Sequence, residues 1–165
     1  MADITLRGNP FHTVGDLPAV GSDVPDFSLA GNDLGEVTPS TFAGQQVVLN
    51  IFPSVDTGTC AQSVRTFNER AAGLESSKVV NVSADLPFAQ ARFCGAEGIE
   101  NASSASAFRS DFGQQFGVEI ADGPMRGLLA RAVVVVDADG KVAYTQLVPE
   151  IGEEHDYDSA LAALT

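Results

Sequence analysis

The sequence predicts an α/β sandwich in which helices flank a mixed central sheet. Strand-like and helix-like segments alternate along most of the chain, which is typical of this class. Two apolar runs, at residues 47–52 and 130–136, have the composition of buried central strands. A turn at residues 137–140 predicts that the second run forms an antiparallel hairpin with the segment that follows it. The 165 residues, 44% of them hydrophobic, predict one domain over residues 1–165.

The individual elements follow from turn residues and hydrophobic periodicity in chain order. Turn residues at 7–10 predict an N-terminal β-hairpin from segments 4–6 and 11–14. Pro53 ends the first buried strand, and apolar residues at helical spacing follow it from Cys60 to Ala71. The other predicted elements are strands at 26–30 and 78–84, helices at 87–96 and 106–116, a hairpin of 130–136 with 141–148, and a last helix near 156–164.

The charge balance excludes two classes of partner. Nine Lys and Arg stand against 22 Asp and Glu, which gives a formal net charge of −13. Such a surface repels nucleic acid and anionic membranes. The N-terminal segment has no apolar stretch like that of a secretory signal, and Arg131 interrupts the most apolar segment, 128–136. A cytoplasmic location is therefore expected.

The chain has two cysteines, Cys60 and Cys94, too far apart for a CxxC motif. In a reducing compartment such a pair seldom forms a permanent structural disulfide, and is more often catalytic, redox-sensing, metal-binding or simply buried. His12 and His155 are distant from each other and lie in turn-rich sequence, so no zinc site is predicted. Nothing in the sequence calls for a cofactor.

Cys60 is the better candidate for a nucleophile. It follows a buried strand and a proline-broken loop, at the start of the predicted helix, where unpaired N–H groups and the helix dipole favour a thiolate. The alternative is a small buried hydrophobic residue. Pro53 and Thr57 complete the pattern PxxxTxxC, in which Thr57 can cap the helix or donate to the thiolate. Both residues could equally serve only to end the strand and begin the helix.

The segment PSVDTGTC resembles the active-site loop of the peroxiredoxins. Longer runs resemble the bacterial thiol peroxidases, the atypical two-cysteine subfamily, over nearly the whole chain: NIFPSVDTGTCAQSVRTFNERA, SADLPFAQARFCGAEG, IADGPMRGLLARAVVVVDADG and the opening ITLRGNP. The resemblance implies a thioredoxin-like fold. It also implies a peroxidatic Cys60 with Pro53 and Thr57 as loop partners, an active-site Arg131, and a resolving Cys94 that forms an intramolecular disulfide with Cys60.

The resemblance implies a peroxidase that reduces hydrogen peroxide and organic hydroperoxides, is recycled by thioredoxin and forms a homodimer. A redox sensor using the same cysteine pair without rapid turnover is the alternative.

A buried guanidinium needs a partner, so Arg131 is expected to pair with the Cys60 thiolate or, alternatively, with a carboxylate. Phe67, Phe88 and Phe93 are expected in the core, with some in an apolar cleft. We expect both cysteines near helix starts, too far apart to bond without local rearrangement.

Overall fold

The computed structural model describes residues 1–74 and 76–164, which form a seven-stranded mixed sheet with flanking helices and a separate two-stranded hairpin. The helices are α1 (Gly58–Ala71), α2 (Pro87–Glu97), α3 (Phe112–Gln115) and α4 (Tyr157–Ala162), with a 3₁₀ turn at Pro39–Phe42. The strands are β1 (Asp3–Leu6), β2 (Asn9–His12), β3 (Leu29–Gly31), β4 (Glu36–Val37), β5 (Gln46–Ile51), β6 (Ser77–Ser83), β7 (Ser103–Ser106), β8 (Ala132–Val136) and β9 (Val142–Leu147).

The sheet has the order β4-β3-β7-β6-β5-β8-β9. Strand β5 lies inside the sheet next to the central strand β6, parallel to β6 and antiparallel to β8. All residues of β5 and β8 are buried, as predicted from their apolar runs. Because β5 is covered on both faces, the loop that leaves its end is held on a fixed support.

Helices α1 and α4 cover one face of the sheet, through a cluster of Val48, Phe67, Ala71, Val79, Val133, Val135 and Ala160. A second cluster covers the other face and includes Leu49, Ile51, Val82, Val134, Phe112 and Phe116. The mixed sheet between two apolar layers confirms the predicted α/β sandwich.

The predicted N-terminal hairpin is present, with a tighter turn than expected. Ile4 pairs with Phe11 and Leu6 with Asn9, so only Arg7 and Gly8 form the turn. The backbone φ angles of Arg7 and Gly8 are 51° and 81°, which is the pattern of a type I′ turn. This hairpin packs through Ile4 and Phe11 against Ile120, Ala130 and Ile151 rather than joining the central sheet.

Three predicted boundaries are wrong. Segment 106–116 is not one helix: β7 ends at Ser106, and only Phe112–Gln115 is helical. Ser106 is the last residue paired with β6, and a turn follows in which the Ser110 amide donates to the Ala107 carbonyl at 3.1 Å and the Phe108 amide donates to Ser106 Oγ at 3.1 Å. The strand predicted at 26–30 begins only at Leu29. Arg131 precedes β8 instead of lying within it, although its carbonyl still accepts the amide of Val148.

Within residues 1–74 and 76–164, every helix is too short or too polar to cross a bilayer.

Candidate active site

Cys60 is the third residue of α1, the helix that follows the loop leaving β5. The thiol is fully buried, in a cluster with Phe52, Val55 and Val64. The fourteen-residue helix places its N-terminal N–H groups around this position. Burial excludes water from the sulfur.

Arg131 lies against the sulfur of Cys60. Its Nη2 donates to Cys60 Sγ at 3.0 Å and its Nε donates to the carbonyl of Ile151 at 2.8 Å. The side chain is 1% exposed, and among the described residues it pairs with no carboxylate. Of the two partners considered from sequence, the structure therefore brings Arg131 to the cysteine.

One nitrogen of the Arg131 guanidinium makes no hydrogen bond to the described residues. Nη1 is buried and has no hydrogen-bond partner among the residues that the structure describes. A buried guanidinium donor is stabilised by an acceptor, so Nη1 is available to an oxygen that enters the site. That donor lies on the same planar group that contacts Cys60, so a single arginine can address the sulfur and a bound oxygen together.

His155 is a buried neighbour of this pair that the sequence did not reveal. Only 4% exposed, it places Nε2 at 3.1 Å from the carbonyl oxygen of Ala132. Burial, with the nearby charge of Arg131, lowers the pKa of His155 to about 3. The ring packs edge-on against Phe67, beneath α1. The imidazole is therefore neutral at physiological pH and adds no charge beside the guanidinium.

Thr57 and Pro53 reach the site in different ways. Pro53 is buried at the start of the loop, and Thr57 is the exposed residue that precedes α1. Thr57 is the N-cap residue of α1, but its hydroxyl donates to the carbonyl of Ser54 at 3.1 Å. Its side chain therefore makes neither of the two contacts considered from sequence, the helix cap and the bond to the Cys60 sulfur. Asp85 holds the same loop, accepting from Ser54 Oγ at 2.7 Å and from the Val55 amide at 2.9 Å.

An open cavity of about 790 Å³ leads to these residues. Leu6, Phe11, Met125 and Ile151 supply apolar lining, the α1 loop and Arg131 form a polar end, and the hairpin adds further polar groups. The lining residues are Leu6, Arg7, Asn9, Phe11, Pro53, Thr57, Gly58, Thr59, Pro124, Met125, Arg131, Ile151 and Gly152. A cleft of this size with both apolar and polar lining suits a small organic molecule.

The phenylalanines considered for this cleft from sequence lie elsewhere. Phe67 is buried on the sheet-facing side of α1, Phe93 packs against the Cys60 cluster, and Phe88 is 68% exposed. Phe11 lines the cavity instead, with its ring against Gly123. A Cβ atom at Gly123 would lie 2.6 Å from Phe11 Cδ1, so the ring occupies the space that a side chain would need.

Cys94 lies in the last turn of α2, so the expectation of a helix start is wrong. The helix ends at Gly98, whose left-handed backbone and amide close the final turn onto the Cys94 carbonyl. Cys94 is partly exposed, and its Sγ lies 3.4 Å from Ser104 Oγ on β7. Both cysteines are free thiols, each facing a different partner.

A buried row of polar side chains runs across the sheet between the two cysteine helices. Asn50, Asn81 and Ser104 are register partners on three neighbouring strands. Asn50 Nδ2 donates to Asn81 Oδ1 at 2.9 Å and reaches Ser63 on α1 at 3.3 Å. Ser63 Oγ in turn donates to the Cys60 carbonyl at 2.8 Å. The face beneath α2 is therefore polar.

Comparison with known proteins agrees with this geometry. The redoxin family matches residues 19–161. Proteins named thiol peroxidase are 65% identical in Mycobacterium tuberculosis (strain ATCC 25618 / H37Rv) and 58% identical in Corynebacterium glutamicum, each over 99% of both chains. A crystal structure of a peroxiredoxin-like protein from Aquifex aeolicus superimposes with a TM-score of 0.91 at 41% identity, covering 99% of this chain and 96% of that one.

Fold and family were therefore both predicted correctly. The thiol peroxidase of Chromobacterium violaceum has the same fold, with a TM-score of 0.90 at 21% identity over 97% of this chain and 93% of its own. These likenesses confirm the thioredoxin-like peroxiredoxin architecture with its N-terminal hairpin. The chain belongs to the redoxin family and is a peroxidase of its bacterial thiol peroxidase branch, the atypical peroxiredoxins.

Proposed function

We propose that this enzyme reduces hydrogen peroxide and organic hydroperoxides at Cys60 and then forms a Cys60–Cys94 disulfide. The contact of Arg131 Nη2 with Cys60 Sγ at 3.0 Å, at the polar end of an open cavity, carries this proposal. A slow redox sensor needs only an acidic thiol. Peroxide turnover needs a donor that aligns the O–O bond, and Arg131 has an unpaired Nη1 for this purpose.

In the first step the Cys60 thiolate attacks the terminal oxygen of the hydroperoxide. An S–O bond forms as the O–O bond breaks, so the sulfur is oxidised to a sulfenic acid and the departing oxygen takes a proton to leave as alcohol or water. Arg131 Nη1 is placed to donate to the oxygen on which negative charge develops. Donors of this kind contribute about 2.7–4 kcal/mol each in comparable oxyanion sites.

In the second step the Cys94 thiolate attacks the Cys60 sulfenic acid, and water leaves as the S–S bond forms. The disulfide needs Cα atoms roughly 4.4–6.8 Å apart. Cys94 Sγ must therefore leave Ser104, and Cys60 must leave its buried cluster. We infer a local rearrangement of the first turn of α1 and the last turn of α2 in each cycle.

The oxidised pair needs an external dithiol for the next cycle, and we propose thioredoxin in this role, in the reducing cytoplasm. The apolar lining of the cleft, with Leu6, Phe11 and Met125, supports alkyl and lipid hydroperoxides as substrates alongside hydrogen peroxide. Residues 1–165 act in this proposal as one domain, assembled as a homodimer. Sedimentation of reduced and oxidised protein measures the assembly.

The test of the proposal is a count of free thiols and the intact mass after one equivalent of cumene hydroperoxide is added to reduced protein. We expect both thiols to disappear within seconds with a loss of two hydrogens. Cys94→Ser should consume the same equivalent and stop at a sulfenic acid, whereas Cys60→Ser should consume none. Two thiols that stay free in the native protein for many minutes would overturn the proposed cycle.

A further inference from the structure

Glu150 lies between β9 and α4 and joins this part of the chain to the N-terminal hairpin. Its carboxylate accepts from Thr5 Oγ1 at 2.6 Å and from the amides of Arg7 and Gly8 at 2.8 and 3.3 Å. A fourth donor, the Gly152 amide, lies at 3.3 Å. The hydrogen bond from Thr5, with those from the amides, lowers the pKa of Glu150 to about 2. An ionised carboxylate therefore ties the hairpin turn to segment 149–152.

Two backbone hydrogen bonds and an apolar contact support the same junction. The Thr5 amide donates to the Pro149 carbonyl at 2.7 Å, and the Ile151 amide donates to the Thr5 carbonyl at 2.8 Å. Ile4 and Ile151 also belong to one buried cluster. Apolar contacts are non-directional, whereas hydrogen bonds fix the relative positions of the atoms they join. Glu150 thus adds four directional contacts where segment 149–152 meets the turn.

Two carbonyls of segment 149–152 hold groups of the candidate active site. The Ile151 carbonyl accepts from Arg131 Nε at 2.8 Å, and the Gly152 carbonyl accepts from Thr59 Oγ1, in the first turn of α1, at 3.0 Å. Among the described residues, the guanidinium donates to one oxygen, that of Ile151, and its other bond goes to Cys60 Sγ. The placement of the guanidinium beside the sulfur therefore depends on where the Ile151 carbonyl lies.

We propose that Glu150 is a positioning residue for the oxidation of Cys60. This inference rests on the proposed function, because it concerns the same reaction. Glu150 does not line the cleft and takes no part in the redox step. It acts by fixing the Ile151 carbonyl, which holds Arg131 in place. Reaction rates depend steeply on such alignment, since a misplacement of about 1 Å can cost about 10²-fold.

The first test measures the rate of Cys60 oxidation by hydrogen peroxide in Glu150→Gln, by rapid-quench thiol counting. Glutamine keeps the shape of the side chain but replaces one acceptor oxygen with an NH2 donor, which cannot accept from the turn amides. We expect oxidation to be at least about tenfold slower than in the native protein. Glu153→Gln is the matched control, because it removes the same charge from an exposed side chain three residues along the chain. It should react at the native rate.

A double-mutant cycle separates positioning from a general structural effect. If Glu150 acts through Arg131, Glu150→Gln should change the rate less than about twofold in the Arg131→Met background. Equal fold losses in the two backgrounds, or a native rate in Glu150→Gln alone, would overturn the proposal. Should Glu150→Gln not fold, Glu150→Asp takes its place in both backgrounds. It keeps the charge on a shorter side chain, so a smaller loss is expected, again only where Arg131 is present.

Hydrogen exchange at Arg131 Nε, followed by ¹⁵N NMR on reduced protein, needs no peroxide. The bond to the Ile151 carbonyl protects this proton, so it should exchange at least about tenfold faster in Glu150→Gln and at the native rate in Glu153→Gln. A native protein that does not react with peroxide would contradict the proposed function, whereas faster exchange would still support the positioning of Arg131. Unchanged exchange in Glu150→Gln would overturn the positioning role even where peroxidase turnover proceeds.

Discussion

The two cysteine helices are held to the sheet in opposite ways. Helix α1 buries six residues, Cys60, Ala61, Ser63, Val64, Phe67 and Ala71. Helix α2 is fully described, and only Pro87 and Gln90 of its eleven residues are buried. The face beneath α1 includes a large apolar cluster, whereas α2 covers the polar Ser83 and Ser104. Cys60 therefore lies on a helix with a large buried face, and Cys94 lies on one with few buried residues.

The remaining attachments of α2 are mostly at its surface. Arg65 on α1 makes a two-point contact with Glu97 at 3.1 and 3.0 Å, and Arg92 reaches Asp56 at 3.4 Å. Exposed ion pairs of this kind contribute about 0–1 kcal/mol each. Phe93 packs α2 against the Cys60 cluster, but α2 buries less apolar surface than α1, so we expect α2 to detach at a lower cost in free energy than the body of α1.

The contrast between the two cysteine helices is tested most strongly at Arg131, which contacts Cys60 on α1. Arg131→Met removes the donor to Cys60 Sγ and the unpaired Nη1. We expect the oxidation of Cys60 by cumene hydroperoxide to slow by about 10²–10³-fold, as for the loss of an oxyanion donor. Rapid-quench thiol counting measures this rate, and alkylation of Cys94 should proceed as before.

Arg131→Lys is the companion variant, because it keeps a positive charge and loses the planar fork. A rate between those of the native protein and Arg131→Met would assign part of the effect to geometry. An unchanged rate in both variants would favour a slow sensor over a peroxidase, since thiol ionisation alone would then account for the chemistry.

The next largest effect concerns acid pH and His155. Its pKa is about 3 in the folded protein, against an ordinary value of 6.5, so the unfolded chain binds more protons between these values. Stability is therefore lost as pH falls from 6.5 towards 3. Between pH 7 and pH 5 the native protein should lose about 2 kcal/mol more than His155→Phe. Urea unfolding at the two pH values measures the difference.

His12 provides a control of opposite sign. Its hydrogen bond with Asp122 raises the pKa of His12, so the stabilisation is present below pH 6.5 and is lost as pH rises through the folded value. In His12→Gln the loss of stability on acidification should therefore be no smaller than in the native protein. If the two histidine variants lost the same stability on acidification, the assignment of the acid sensitivity to the buried His155 would be wrong.

The smallest expected effect is in hydrogen exchange of the reduced protein. Backbone amides of α2 should exchange at least about tenfold faster than those of α1, because opening α2 exposes less apolar surface. Mass spectrometry of peptides from the two helices measures this directly. Equal protection in both helices would remove the difference in mobility on which the comparison depends.

The sequence predicted the family, the fold and the pairing of Arg131 with Cys60, because long motifs carry them. The catalytic roles of Cys60, Arg131 and Pro53 stay predictions. The wrong boundary at residues 106–116 arose because the pairing of Ser106 with Ser83 of β6 depends on a distant segment, which helical spacing in the sequence does not reveal. Glu150 and His155 were missed for the same reason. Their contacts, with the hairpin turn and beside Arg131, join segments far apart in sequence.

The contact between Phe11 and Gly123 has a consequence for how such enzymes diverge. Phe11 lines the cleft, while Gly123 stands behind it, with a φ of 75° and no room for a Cβ atom. Any side chain gained at Gly123 would require the aromatic ring to move, because a Cβ atom would lie 2.6 Å from it. A single codon change at a residue outside the cleft lining would therefore reshape the cleft, and evolution can alter substrate preference without replacing a lining residue.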